Sequence, residues 1–172
     1  MERRDYGDIG GIFMVMRQFV KFSVGDEEFG VDINQAREII KLQDMLKVPN
    51  TPPYIEGLTK LRDKVLTVFN LRKRLGFKDC DFDENCKIII VNYNDMDIGF
   101  TVDFVSEILR IPEDSVENTP PSITGVDRRF LSGVAKVNDK LLLLLDLKNV
   151  LTPDEEENIK KFVKKNEKSA IK

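Results

Sequence analysis

The segment FGVDINQAREIIKL, residues 29–42, returns 69 residues later as IGFTVDFVSEILRI, so that Gly30 meets Gly99, Glu38 meets Glu107 and Ile39 meets Ile108. The tetrapeptide NTPP at Asn50–Pro53 recurs at Asn118–Pro121, an offset of 68. IEGLTKLRDKVLTVFNL, residues 55–71, recurs as LSGVAKVNDKLLLLLDL, residues 131–147, at an offset of 76, because the second copy carries extra residues around SITGVDRRF. Three blocks in the same order make the chain a duplication, and self-similarity of this kind restricts architecture before any single residue does.

Each copy reads as short strands between turn signals. QFVKFSV turns at Gly25-Asp26 into EEFGVDI, the Pro49 and Pro52-Pro53 block excludes helix, Gly57 opens a strand to Leu61, and KVLTVFNL runs back. The second copy repeats the plan with CKIIIVNYN, MDIGFTVD, LSGVAKV and KLLLLLDL. A run such as LLLLLDL is apolar on both faces, so it must be covered on both sides and is expected where the two copies press together. Units of about 60 residues bury too little surface alone, so the expectation is an all-β chain of two small barrels sharing one apolar seam. The first barrel is placed at about 17–78 and the second at about 86–151, within a single domain spanning 17–172. A C-terminal helix is predicted at about 153–168, with Thr152 as N-cap, Pro153 in the first helical position and Glu155 completing a capping box. Asp154, Glu155 and Glu156 near its start and lysines toward its end suit the helix dipole, and Ile159, Phe162 and Val163 form a narrow docking stripe. Residues 1–16 are expected to be a flexible extension.

Composition removes most catalytic classes. The chain has no histidine, which excludes imidazole acid–base chemistry, histidine metal ligation and phosphohistidine formation on its own residues. Its 27 basic and 30 acidic residues balance to a net charge of -3, so nucleic acid is not an expected partner. No phosphate-binding glycine loop, dinucleotide fingerprint or C-x-x-C is present, and no cofactor or metal is expected. Cys80 and Cys86, in the acidic stretch KDCDFDENCK, read as unrelated free thiols; Glu84 stands where a calcium loop from Asp79 would need glycine, and Ile90 where it would need its last glutamate. The apolar run Ile9–Met16 is too short to span a bilayer and lacks a cleavage site, so a cytoplasmic protein without direct membrane insertion is expected. What remains is binding through strand edges, loops and the groove between barrels.

GDEEFGVDI, the following REI, VPNTPPYIEGLTKLR, VFNLRKRLG, IGFTVDFVSEILRI and FLSGVAKVNDKLLLLLDL, in this order across residues 17–152, resemble the CheW-like coupling proteins of bacterial and archaeal chemotaxis. The family's NLRG block is seen here as KLRD, residues 60–63. The resemblance implies two SH3-like five-stranded barrels in pseudo-twofold tandem around a shared apolar core. It implies a non-enzymatic adaptor linking the cytoplasmic tip of methyl-accepting chemotaxis receptors to the regulatory domain of the histidine kinase CheA. By position, Val20, Ile33, Ala36, Ile39 and Val105 match the apolar lining of the receptor groove, and Glu38 and Arg62 match polar positions at its rim. Residues that meet the kinase are not assigned. A CheW-like scaffold serving a different kinase or receptor pathway, and an unrelated barrel that is an enzyme or binds a ligand in a deep polar pocket, are the alternatives.

Arg62 stands out within that set. Its counterpart in the second copy is Asn138, a turn-former, so the barrel itself does not call for an arginine there. Asp63 replaces the family's glycine and Lys60 its asparagine, which changes the loop's charge and backbone freedom.

Overall fold

The computed structural model describes residues 5–9, 12–123 and 128–170. In the first half the strands are β1 (Asp5–Ile9), β2 (Ile12–Val24), β3 (Glu27–Asp32), β4 (Ala36–Lys41), β5 (Ile55–Leu61) and β6 (Lys64–Asn70), followed by the one-turn helix α1 (Leu71–Arg74). The second half holds β7 (Lys87–Tyr93), β8 (Met96–Val102), β9 (Phe104–Pro112), β10 (Val116–Glu117), β11 (Leu131–Val137), β12 (Lys140–Leu145) and the helix α2 (Pro153–Ala170). The fold is two SH3-like barrels around a shared apolar core with a C-terminal helix.

The duplication is visible in the pairing. One sheet runs β4-β7-β8-β6-β5; the other contains β9-β2-β3-β12-β11, the same order in repeat-equivalent strands, extended by β1 and β10. Each sheet joins its hairpin to the rest through one parallel pair, β6 with β8 in one and β12 with β3 in the other. The barrels therefore do not coincide with the contiguous segments 17–78 and 86–151. Hairpin β2–β3 of the first copy completes the barrel made by β9, β11 and β12, and hairpin β7–β8 of the second completes the barrel made by β4, β5 and β6. This exchange corrects the boundaries expected above. Its physical reason is that apolar residues of each hairpin pack with the other copy, Phe19 with Ile111, Ala135, Leu142 and Leu144, and Ile88 and Ile90 with Leu66 and Val68.

Three apolar clusters follow. Phe19, Ile111, Ala135, Leu142 and Leu144 fill one barrel; Leu66, Val68, Ile88 and Ile90 fill the other. Between them Val20, Phe22, Phe29, Val31, Phe69, Ile89, Phe100, Leu145 and Leu147 belong to a common seam to which both copies contribute. Gly30 and Gly99 show how closely the repeat is kept: a Cβ on Gly30 would lie 2.9 Å from Leu144 Cδ2, and one on Gly99 would lie 2.6 Å from Ile88 Cγ2. Interiors packed at crystal density have no room for that methyl. In β12, Leu142 and Leu144 face a barrel interior and Leu145 the seam, but Leu141 is 70 % exposed, so the leucine run is covered on both sides only beyond its first residue.

Residues 5–9 and 12–16 pair with each other, Tyr6 opposite Val15 and Gly7 opposite Met14, and Arg110 donates to the Tyr6 carbonyl at 3.1 Å. This part of the expected extension is a hairpin; residues 1–4, 10 and 11 lie outside the described residues. At the other end the capping box forms as the sequence predicts, with Glu155 N–H donating to Thr152 Oγ1 at 3.2 Å and Thr152 N–H to Glu155 Oε2 at 2.9 Å. Of the predicted docking stripe Ile159 is buried; the side chains of Phe162 and Val163 lie outside the described residues.

Candidate functional site

The β5–β6 hairpin turns on Arg62 and Asp63, and Arg62 has φ 55°, in the left-handed region. Its repeat mate Asn138 has φ 48°, so the turn demands this conformation in both copies. Asparagine tolerates it by local hydrogen bonding, whereas an arginine there costs roughly 1–2 kcal/mol. The Arg62 guanidinium reaches across the barrel end to Glu38 on β4, donating at 3.2 and 3.4 Å to its two carboxylate oxygens. With the arginine side chain 74 % exposed and the glutamate 33 %, this pair returns only about 0–1 kcal/mol. The backbone penalty exceeds the ion-pair gain, so stability does not explain the arginine.

Around this pair the structure sorts the other predicted positions. Ile33, Ala36 and Val105 are half-buried against the common seam, and Val20, 2 % exposed, is a member of that seam. Val20 thus supports the surface from below. Ile39 lies on the opposite face of β4 from Ile40 and is 37 % exposed, as its repeat mate Ile108 also is at 58 % on β9. Glu107, the mate of Glu38, pairs instead with Lys21 at 3.2 Å, since Asn138 cannot reach it with a charge. The pseudo-twofold axis therefore relates two similar apolar strands but only one carries the arginine–glutamate tip.

A second polar centre was not legible as such. Arg74, at the end of α1, donates to the Val150 carbonyl through Nε at 3.1 Å and Nη2 at 2.8 Å, and pairs with Glu155 at 2.7 Å. Its guanidinium also lies 4.6 Å from the Tyr54 ring centre and 5.4 Å from that of Phe130. Burial, followed by the nearby Glu155 charge, pushes the Tyr54 hydroxyl up from its ordinary value. Nearby, Tyr93 and Asn94 donate to Glu156 at 2.8 and 2.7 Å, and these bonds hold the Glu156 carboxyl below its ordinary value. Arg74 and Glu156 latch α2 to both copies. The LRKR stretch contains the arginine, but its hydrogen-bond partners lie over 70 positions away.

Two open clefts of about 460 and 480 Å³ lie beside the β7–β8 turn, and they are lined largely by charged and amide side chains. Among the described residues no group of three or more histidine, cysteine or acidic side chains is placed to hold a metal ion. Cys86 is buried and Cys80 exposed, both free. No helix among the described residues is long and apolar enough to cross a membrane.

The model of the CheW-like domain matches residues 18–155. The chain belongs to this family. Its relatives include the Chemotaxis protein CheW of Klebsiella aerogenes, 28 % identical over 141 residues, 82 % of this chain and 85 % of that one. The Chemotaxis protein CheW of Helicobacter pylori is 31 % identical, covering 80 % of this chain and 82 % of its own. Among solved structures, the scaffolding protein TtCheW from Thermoanaerobacter tengcongensis superposes with a TM-score of 0.74 at 34 % identity, covering 81 % of this chain and 90 % of that one. The family match takes in Val20, Ile33, Ala36, Glu38, Ile39, Arg62 and Val105, and it stops within the first turn of α2.

Proposed function

We propose that this chain is a non-enzymatic chemotaxis adaptor that couples the cytoplasmic tip of methyl-accepting receptors to the regulatory domain of the histidine kinase CheA. The observation that carries the reading is Arg62: an exposed arginine in a left-handed turn, costlier to the backbone than its pair with Glu38 returns, within a family whose relatives are chemotaxis proteins. A charge kept against stability is what a recognition role requires. Ile33, Ala36, Ile39 and Val105, backed by Val20, supply the apolar area for a receptor helix, with Glu38 and Arg62 setting its register at the rim. The protein works in the cytoplasm, where both partners' domains lie, without entering the membrane.

Lys60 and Asp63, where the resemblance implies asparagine and glycine, support a second version in which the same scaffold serves a different receptor or kinase pathway. Titration calorimetry of the full chain against a receptor signalling-tip fragment, and separately against a CheA regulatory domain, tests the reading. Saturable binding of both is expected; binding of neither would overturn it.

A further inference from the structure

The cleft of about 460 Å³ beside the Arg62 turn joins three elements: Leu61, Lys64, Val65 and Leu66 at the β5–β6 tip, Met96 and its neighbours at the start of β8, and Lys160 and Lys164 on α2. Its floor is apolar, because Leu66 is buried and Leu61 packs against the interior of the same barrel. Its rim is charged, and the charges are unequally engaged. Lys160 is held by Glu156 at 3.1 Å, and Asp97 by Arg37 at 2.8 Å. Lys64 and Lys164 form no ion pair among the described residues, and Asp95, held in the tight β7–β8 turn with φ 65°, is the anion left against them.

We propose that this cleft is an extension of the receptor-binding rim, and that it takes an acidic, apolar-centred stretch of the receptor's helical tip. Lys64 and Lys164 meet carboxylates on either side of an apolar residue that rests on Leu61, Val65 and Met96. Two observations direct the choice of partner. Leu61 and Lys64 bracket Arg62 and Asp63 in sequence, so the cleft lies beside the turn that carries the Arg62–Glu38 pair. The unpaired lysines favour a partner of negative charge, which engages them without displacing an existing ion pair. Lys160 and Lys164, both on α2, lie beyond residue 155, where the family match ends. The inference rests on the receptor-adaptor reading above.

The repeat supplies an internal control. Lys140 is the counterpart of Lys64 in the second barrel, exposed beside Leu141, and among the described residues no helix packs on its strand β12 as α2 packs on β6. The test is calorimetric titration of a receptor signalling-tip fragment into wild type, Lys64→Glu, Lys164→Glu, the double variant and Lys140→Glu, at low and high salt. At about 50 mM salt the single reversals are expected to weaken binding about threefold each and the double variant about tenfold, with the differences shrinking near 500 mM as screening sets in. Lys140→Glu should match wild type, and the CheA regulatory domain should bind every variant equally. Receptor affinity unchanged in the double variant overturns the cleft while leaving the adaptor reading intact, as does an equal loss in Lys140→Glu or a loss confined to the kinase domain. A wild-type chain that binds no receptor fragment overturns both.

Discussion

Replacing Arg62 by glycine and by alanine separates its cost from its use. Both variants lose the exposed ion pair with Glu38, worth about 0–1 kcal/mol. They differ in the backbone. Alanine at φ 55° keeps a left-handed penalty of roughly 1–2 kcal/mol, and glycine removes it but adds about 0.4–1 kcal/mol of unfolded-chain entropy. Glycine is therefore expected to be the more stable variant by about 0.5–1 kcal/mol, reversing the order found at an ordinary surface site. For a domain of this size that difference appears as a melting temperature about 1–4 °C higher for the glycine variant. Thermal unfolding by circular dichroism and urea titration measure it, while calorimetry with a receptor tip fragment should show equal, weakened binding for both. Alanine as stable as glycine would refute the strain reasoning. Wild-type receptor affinity in both would refute the recognition role.

Other expectations follow from the packing. Thr67 is fully buried and its hydroxyl has no hydrogen-bond partner among the described residues, so Thr67→Val should leave stability unchanged or raise it by up to about 1 kcal/mol, read from urea midpoints. Glu156 has a carboxyl pKa lowered by its bonds from Asn94 and Tyr93; the contribution is present above its ordinary 4.5 and lost as pH falls through the lower folded value. Helicity of α2 followed by circular dichroism should then decline below about pH 4.5 in wild type, and Glu156→Gln should lessen that dependence. Because each sheet takes a hairpin from the other copy, a protease site inserted between Cys80 and Asn85 and then cut should yield two fragments that co-elute on gel filtration with native circular dichroism. Fragments that separate, one of them still folded, would contradict the exchanged topology.

The repeat made the barrels legible because equivalent turns and core positions had to be spelled twice: Gly30 with Gly99, Asn138-Asp139 with the Arg62 turn, Leu142 with Leu66. It did not reveal the exchange of hairpins, since a duplicated pattern is the same whether a hairpin closes on its own copy or on the other. Pairing such as Leu144 with Gly30 is decided by long-range packing. At the candidate site the residue types were readable but their exposure was not. Val20 and Ile39 are both apolar strand residues, yet the first is in the seam and the second faces outward, because the sheet to which a strand belongs decides which of its faces is covered. The left-handed backbone of Arg62 could be inferred from Asn138, its repeat mate. The α2 latch and the cleft beside it could not, because Arg74 meets Glu155, and Lys64 comes to line one cleft with Lys164, only once the helix has docked.

The central claim is that one chain bridges two partners. The most direct measurement mixes the full chain with a receptor signalling-tip fragment and a CheA regulatory domain and determines the mass of the resulting species by light scattering after gel filtration. A complex containing all three is predicted, with the receptor fragment lost from it in Arg62→Glu while the kinase domain stays bound. Receptor and kinase domain competing for the chain, or neither joining it, would contradict the account.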